Sequence, residues 1–303
     1  MGCVASARTL AFIAVACALA RPVSAQIYET VGIRAQGMAG AFVAVADDST
    51  ATWWNPAGLA TGAYFSAVVE HRSGEGVSDE GTLGISFMVP SLGLSYYRTR
   101  VGAVPLLVSP ASATGDRPDL ETGLPSFVIN QLGVTTGQSL GQYLVVASTA
   151  KLVIADQLRG DLDLGALFKM GSIRLGISAK NMLSPDLTAD GFLVEHNRQV
   201  RVGAAFAPGA RGGVSVIAAA DADLTTTATV GGEVRHVAGG AEFRAGRLGL
   251  RGGASFNTIA ETRASFSAGA SFAVRAGMFI DAHVSRGDDD VMKAWGFALR
   301  VTF

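Results

Sequence analysis

Apolar residues alternate with small or polar ones at a period of two over most of this chain, up to its last residue. Trp295, Phe297, Leu299, Val301 and Phe303 share one strand face, and Ala294, Gly296, Ala298, Arg300 and Thr302 share the other. Upstream, Phe266, Ala268, Ala270, Phe272, Val274, Met278, Ile280 and Val284 stand against Ser265, Ser267, Gly269, Ser271, Asp281 and His283, so that run is long enough to hide a tight turn. The same alternation marks 83–89, 92–96, 162–170, 173–179, 200–206, 214–220, 228–234 and 248–256. An amphipathic helix would repeat every ~3.6 residues, so the pattern predicts many antiparallel strands. Turns are expected at Pro90-Ser91, around Gly171, at 208–212, at 221–224 and at Gly239-Gly240, with longer connections at 105–125 and 181–195.

Two all-β solutions produce such alternation. A soluble sandwich buries its apolar face and carries frequent Lys and Glu outside. Here the second face is Ser, Gly, Thr and Ala with Lys nearly absent; of 303 residues 38 are Gly, and only 16% are charged. A bilayer demands that every backbone amide and carbonyl be paired within the protein, which strands achieve only by closing into a barrel with an apolar outside and a polar or small-residue inside. The roughly 240 residues after Thr61 hold about 12 to 14 strands of about 9–11 residues, and single-chain bacterial barrels close with even numbers. The fold expected is therefore all-β, a closed antiparallel transmembrane β-barrel of about 14 strands, in the cell outer membrane. No apolar stretch after Ala25 is long enough for a membrane helix.

The ends of the chain read differently. Residues 1–25, with Arg8, an apolar run from Thr9 to Ala20 and Val23-Ser24-Ala25 before Gln26, read as a signal peptide; Cys17 offers a poorer lipoprotein-box alternative. Both cysteines, Cys3 and Cys17, precede that cleavage point, so the mature chain is expected to hold no disulfide or thiol nucleophile. Residues 26–62 are glycine-rich and end in Trp53-Trp54-Asn55-Pro56, two tryptophans against a turn signal. The glycines do not form a phosphate loop, because no Gly-Lys-Ser/Thr follows and the dinucleotide spacing is absent.

Within this segment Gly32, Arg34, Gly37, Met38, Gly40, Ala41, Phe42, Ala44, Ala46, Asp47, Asp48, Ala51 and the run Asn55 to Leu59 carry a recognisable signature. It resembles that of the outer-membrane barrel superfamily of long-chain fatty-acid transporters and PorV-like, PorQ-like and TraF-like proteins; Ala39 stands where a second Gly is usual. The resemblance implies that 26–62 is an inward-folded lumenal hatch and 63–303 the barrel. It implies that Arg34, Asp47, Asp48 and Asn55 anchor the hatch, with Gly37, Gly40 and Pro56 shaping its turns and the Asn-Pro-Ala turn near the periplasmic side. Asp47 and Asp48 serve either the fold or transport, and Trp53 and Trp54 either wedge the hatch against the wall or line a greasy pocket. The pattern Trp295, Phe297, Leu299, Val301, Phe303 likewise resembles the closing strand read by the outer-membrane barrel assembly machinery.

Chemistry is sparsely signalled. His71, His196, His236 and His283 are scattered without metal-ligand spacing, their strand members fitting lumen or rim positions, and no nucleophile elbow is present, so neither enzyme nor cofactor is expected. A formal charge of -1 excludes a globally basic nucleic-acid surface. Two functions remain: passive binding or passage of hydrophobic small molecules such as long-chain fatty acids, or a PorV-like scaffold docking secreted proteins. The partners expected are outer-membrane lipids, the assembly machinery, and either that cargo or those proteins. Val104, Leu106, Leu107 and Val108 make 105–125 either an apolar capture loop or an ordinary surface loop.

Overall fold

The computed structural model describes residues 31–74, 81–102, 126–185, 187–189, 192–194, 196–229, 232–259, 263–288 and 293–303. Its strands are β1 (Ser66–Gly74), β2 (Gly81–Val89), β3 (Leu92–Gly102), β4 (Ser126–Leu140), β5 (Leu144–Ile154), β6 (Leu158–Met170), β7 (Ile173–Lys180), β8 (Leu187–Ala189), β9 (Phe192–Val194) and β10 (Gln199–Phe206). They continue as β11 (Val214–Asp223), β12 (Thr227–Thr229), β13 (Gly232–Val234), β14 (His236–Ala245), β15 (Leu248–Asn257), β16 (Ala264–Arg275), β17 (Met278–Gly287) and β18 (Ala294–Thr302). Fourteen of them close a barrel in which each wall strand pairs antiparallel with two neighbours, in the ring order β1-β18-β17-β16-β15-β14-β11-β10-β7-β6-β5-β4-β3-β2. Closure comes from β1 on β18, with Val69 opposite Leu299 and His71 opposite Phe297.

Alternation becomes geometry along each wall strand. On β18 Trp295, Phe297 and Leu299 face out and are exposed, while Ala294, Gly296, Ala298 and Arg300 face in and are buried. On β17 Ile280 and Val284 face out and Asp281 and His283 face in. A wall of exposed Leu, Ile, Val and Phe would aggregate in water but matches hydrocarbon, so this is an outer-membrane barrel.

The two ends differ. At the end that holds Ser66 and Thr302, strands are joined by two to seven residues; at the other, connections run from three to 23. Short turns belong to the periplasmic side of such barrels and long loops to the exterior. Gly277, in the turn between β16 and β17 hidden inside the 264–284 run, has φ +77°, and a Cβ there would lie 2.4 Å from the Thr302 carbonyl oxygen, so only glycine fits.

Several sequence expectations need correction. Gly239-Gly240 is not a turn: both residues sit within β14, opposite Ala254 and Gly253 of β15. The turn expected at 221–224 begins at Leu224, because Asp221–Asp223 still belongs to β11. The segment 228–234 is no wall strand but the β12–β13 hairpin, and the 181–195 connection carries the similar hairpin β8–β9. Of the lumen and rim positions expected for His71 the lumen is excluded: the ring faces outward against Trp295 and Phe297, at ring centroids of 6.0 and 5.7 Å, three residues from the loop end of β1. The signal segment 1–25 and the 105–125 connection lie outside the described residues.

One prediction follows from the two faces. Phe297→Arg, on the lipid side, is expected to destabilise the folded barrel by roughly 2–4 kcal/mol, while Ser267→Arg, on the lumen side, costs far less. Urea titration of refolded protein in lipid vesicles checks it; equal losses would contradict the assigned faces.

Candidate functional site: the lumenal plug

Residues 31–59 are buried, Asp47 alone being half-buried, although they contain little regular structure. They form α1 (Ile33–Gln36), α2 (Ala51–Trp54) and a 3-10 turn over Pro56–Ala60. Helices of four residues satisfy few of their own backbone groups, so partners must come from elsewhere.

The wall supplies them. Glu70 of β1 accepts the Gly32 and Ile33 N–H groups at 2.7 and 3.0 Å, one on each carboxylate oxygen. Asp221 of β11 takes the Phe42 and Val43 N–H groups on a single oxygen at 2.7 and 2.8 Å. In the ring order β1 and β11 are six places apart among fourteen, so the segment is tied to nearly opposite walls and runs through the lumen as a plug. Asn55 completes the attachment: its Oδ1 accepts from Ala57 N–H at 3.1 Å, and its Nδ2 donates to the carbonyls of Val43 at 2.9 Å and Ala166 at 3.2 Å. Ala166 is four residues before the end of β6, so the Asn55-Pro56 turn lies toward the short-turn end.

Charge fixes the other side. Arg34 bonds Asp47, reaches Asp48 Oδ2 at 3.2 Å, and places Nε 2.6 Å from Glu242 Oε2. Glu242 also meets Arg251 at 3.1 Å and Arg244 at 2.5 Å; Arg251 meets Asp281 at 2.6 Å, and Asp281 meets Arg300 at 2.9 Å. The ladder thus leaves the plug and crosses the inner faces of β14, β15, β17 and β18. Burial pushes the Asp47 carboxyl up, but Arg34 and then Arg174 more than offset it and hold its pKa below the ordinary value. Arg34 is likewise held above its own ordinary value, against the effect of burial, by Asp47, Glu242 and Asp48. Asp48 has a second task, accepting the Thr50 N–H at 3.0 Å at the entry to α2.

Close approach needs missing side chains. A Cβ on Gly240 would stand 2.5 Å from the Met38 carbonyl oxygen, and one on Gly165 would stand 2.2 Å from Asn55 Oδ1. These wall glycines make the recess in which the plug sits, which is why the Gly239-Gly240 pair deceives as a turn signal. Within the plug Gly37 approaches Gly269, and Gly40 adopts φ +81°.

Apolar packing joins the plug to the wall and to the β8–β9 hairpin. Trp53 meets Tyr97 edge-on at 5.3 Å, with Lys180 Nζ 3.7 Å from its ring centroid, and Trp54 meets Phe42 at 6.1 Å. Both tryptophans belong to one buried cluster with wall residues Tyr97, Ile129, Val153 and Leu167 and with Leu187 of the β8–β9 hairpin. That connection is fastened to the lumen by a second set of charges. Lys151 lies 2.7 Å from Asp163 and 3.0 Å from Asp161, and donates to Asn181 at 2.9 Å. Buried beside it, His196 is held down to about 3 by burial and by the Lys151 ammonium, and so stays neutral at pH 7.

Arg34, Asp47, Asp48, Trp53, Trp54, Asn55 and Pro56 therefore share one plug unit with Gly37 and Gly40, whereas Trp295, Phe297, Leu299 and Val301 lie on β18, the wall strand that closes the ring, and Phe303 directly follows it. Glu70, Asp221 and Glu242 escape sequence reasoning. Their only signal is an acidic residue at an inward strand position, between Val69 and His71, between Ala220 and Ala222, and between Ala241 and Phe243. Among the described residues no group of three or more His, Cys, Asp or Glu side chains is arranged to hold a metal ion.

No protein-family model and no curated protein sequence matches the chain. Its fold is similar to that of CymD, a monoaromatic hydrocarbon channel (TM-score 0.64, 12% identity, 91% of this chain and 99% of that one). It is equally similar to the Ralstonia pickettii toluene transporter TbuX (TM-score 0.64, 15% identity, 91% and 99%). The Pseudomonas putida toluene transporter TodX follows (TM-score 0.55, 11% identity, 92% and 98%). At these identities the likeness is one of fold.

Removing either end of the first rung tests the ladder. Arg34→Ala or Glu242→Ala removes one member of a buried charge network in which Glu242 keeps Arg244 and Arg251 and Arg34 keeps Asp47 and Asp48, and is expected to cost about 1.5–3 kcal/mol, with the double variant costing less than the sum. Thermal unfolding with limited proteolysis of 31–62 measures both; additive or negligible losses would contradict the ladder.

Proposed function

We propose that this barrel binds and passively passes hydrophobic small molecules, with residues 26–62 as a lumenal hatch and residues 63–303 as the barrel. The observation that carries this reading is the buried plug spanning the lumen. A pore for polar solutes needs standing water, whereas here the lumen holds a buried segment whose Trp53, Trp54 and Phe42 belong to one apolar cluster with the wall. Fold likeness to hydrocarbon and toluene transporters supports the reading, and the Gly32 to Leu59 signature supports a place in the fatty-acid transporter superfamily. Long-chain fatty acids and monoaromatic hydrocarbons are the two ligand classes to try.

No cofactor is required. A ligand entering from the loop end exchanges contacts with the apolar cluster, and the plug yields to let it through. Bonds from charged groups contribute about 1.5–3 kcal/mol each. Withdrawing the plug whole would break the four at Glu70 and Asp221 and the Arg34 ladder together, so a local shift between the anchors is the easier path.

The test is uptake of toluene and of a long-chain fatty acid by proteoliposomes, together with single-channel conductance, for the mature protein and for a deletion of residues 27–59. Uptake of at least one ligand at low conductance, turning to a leaky channel after deletion, is the expected result. A folded barrel that takes up neither ligand sinks the reading and leaves docking of secreted proteins in front.

A second proposal concerns biogenesis: Trp295, Phe297, Leu299, Val301 and Phe303 serve as the segment read by the assembly machinery. Phe303 also packs on Phe65 at 5.8 Å and pairs with its backbone, which gives it a purely structural alternative. Phe303→Ala is expected to lower assembled, heat-modifiable barrel in cells several-fold while refolding into pure lipid is unchanged. Equal losses in both settings would assign the residue to the seam alone.

A further inference from the structure

On the outer wall, β2 to β5 enclose an apolar recess of about 660 Å³, lined by outward side chains that include Ile85, Leu94, Tyr96, Leu132, Val134 and Leu152. Register builds it: Ile85, Tyr96, Leu132 and Leu152 stand opposite one another across four successive strands, and the small Ala150 leaves the depression beside them. It is a shallow depression that opens on the bilayer side rather than on the lumen.

The same strand carries charge just beyond it. β3 runs from the short-turn end to the loop end, and its outward residues are Leu92, Leu94, Tyr96, Arg98 and Arg100 in that order. Both arginines are exposed. At about 3.4 Å per residue they lie roughly 7 and 14 Å past Tyr96 along the strand, toward the external surface. Tyr96 itself donates to Asn130 Oδ1 at 2.9 Å, putting a polar pair at the boundary between recess and arginines. Arg98 stands between Leu83 and Asn130, so no carboxylate faces it from either neighbouring strand.

We propose that this face binds a phosphorylated glycolipid of the external leaflet, with an acyl chain in the recess and a phosphate on Arg98 and Arg100. Two observations meet here: an apolar depression lined by Leu, Ile and Val side chains, and a pair of exposed guanidinium groups on the same strand face, beyond it toward the loop end. Guanidinium forks match phosphate oxygens, and cations at a membrane interface gain from anionic headgroups. The site is independent of the lumenal plug and of what passes it.

Native mass spectrometry of the full-length barrel in detergent, offered diphosphorylated lipid A or its dephosphorylated form, tests the proposal. Wild type is expected to retain the phosphorylated lipid about tenfold better. R98Q/R100Q loses that preference, and Ala150→Trp, which fills the recess from the opposite end of the site, weakens retention of both forms, with heat-modifiability unchanged in each. Equal retention of the two lipids by wild type overturns the proposal, as does undiminished lipid A on R98Q/R100Q. Loss of a homodimer in Ala150→Trp without any lipid adduct on wild type assigns the recess to a second copy instead.

Discussion

A buried backbone group must find a hydrogen-bond partner, and this constraint governs how the plug can exist inside the barrel. Residues 31–59 are too short in helix to satisfy themselves and too far from water to be satisfied by it. The wall answers with carboxylates that act as acceptors for paired N–H groups: Glu70 for Gly32 and Ile33, Asp221 for Phe42 and Val43. Fixed to walls six places apart in the ring, the plug has its position across the lumen set before any of its side chains pack.

Packing and charge then follow from that position. The Arg34 ladder can run to Arg300 only because α1 lies against the β16–β17 side of the wall, and the Met38 carbonyl can enter its recess only because Gly240 and Gly253 carry no Cβ. Each charge along the ladder has an opposite partner in a place where an isolated charge would be costly. Elsewhere in the lumen the tryptophans, Tyr97 and Leu187 of the β8–β9 hairpin add apolar contact, beside a second charged set in which Lys151 pairs with Asp161 and Asp163.

Most of the wall was legible from residue order alone, because alternation in a barrel has a single physical meaning at every strand: lipid on one side, lumen on the other. The closing strand and the turn within 264–284 are read directly in this way. What misled was glycine. At Gly239-Gly240 the same lack of a side chain that permits a turn instead permits close approach of another backbone, and local sequence cannot tell the two apart. Hairpins such as β12–β13 misled for a related reason, since three-residue strands outside the wall alternate like those within it. In the plug, Arg34, Asp47, Asp48 and Asn55 stood out through the resemblance. Their wall partners did not, because pairing Arg34 with Glu242 requires knowing a contact across 208 positions of sequence.

The central claim is that two wall carboxylates hold the plug through its backbone. Hydrogen–deuterium exchange of the amides of Gly32, Ile33, Phe42 and Val43 measures this directly, in wild type and in Glu70→Ala and Asp221→Ala. The account predicts exchange as slow as that of the wall strands in wild type. It also predicts selective acceleration of Gly32 and Ile33 in the first variant and of Phe42 and Val43 in the second, with the wall unchanged. Fast exchange of all four in wild type, or no response to either substitution, would contradict it.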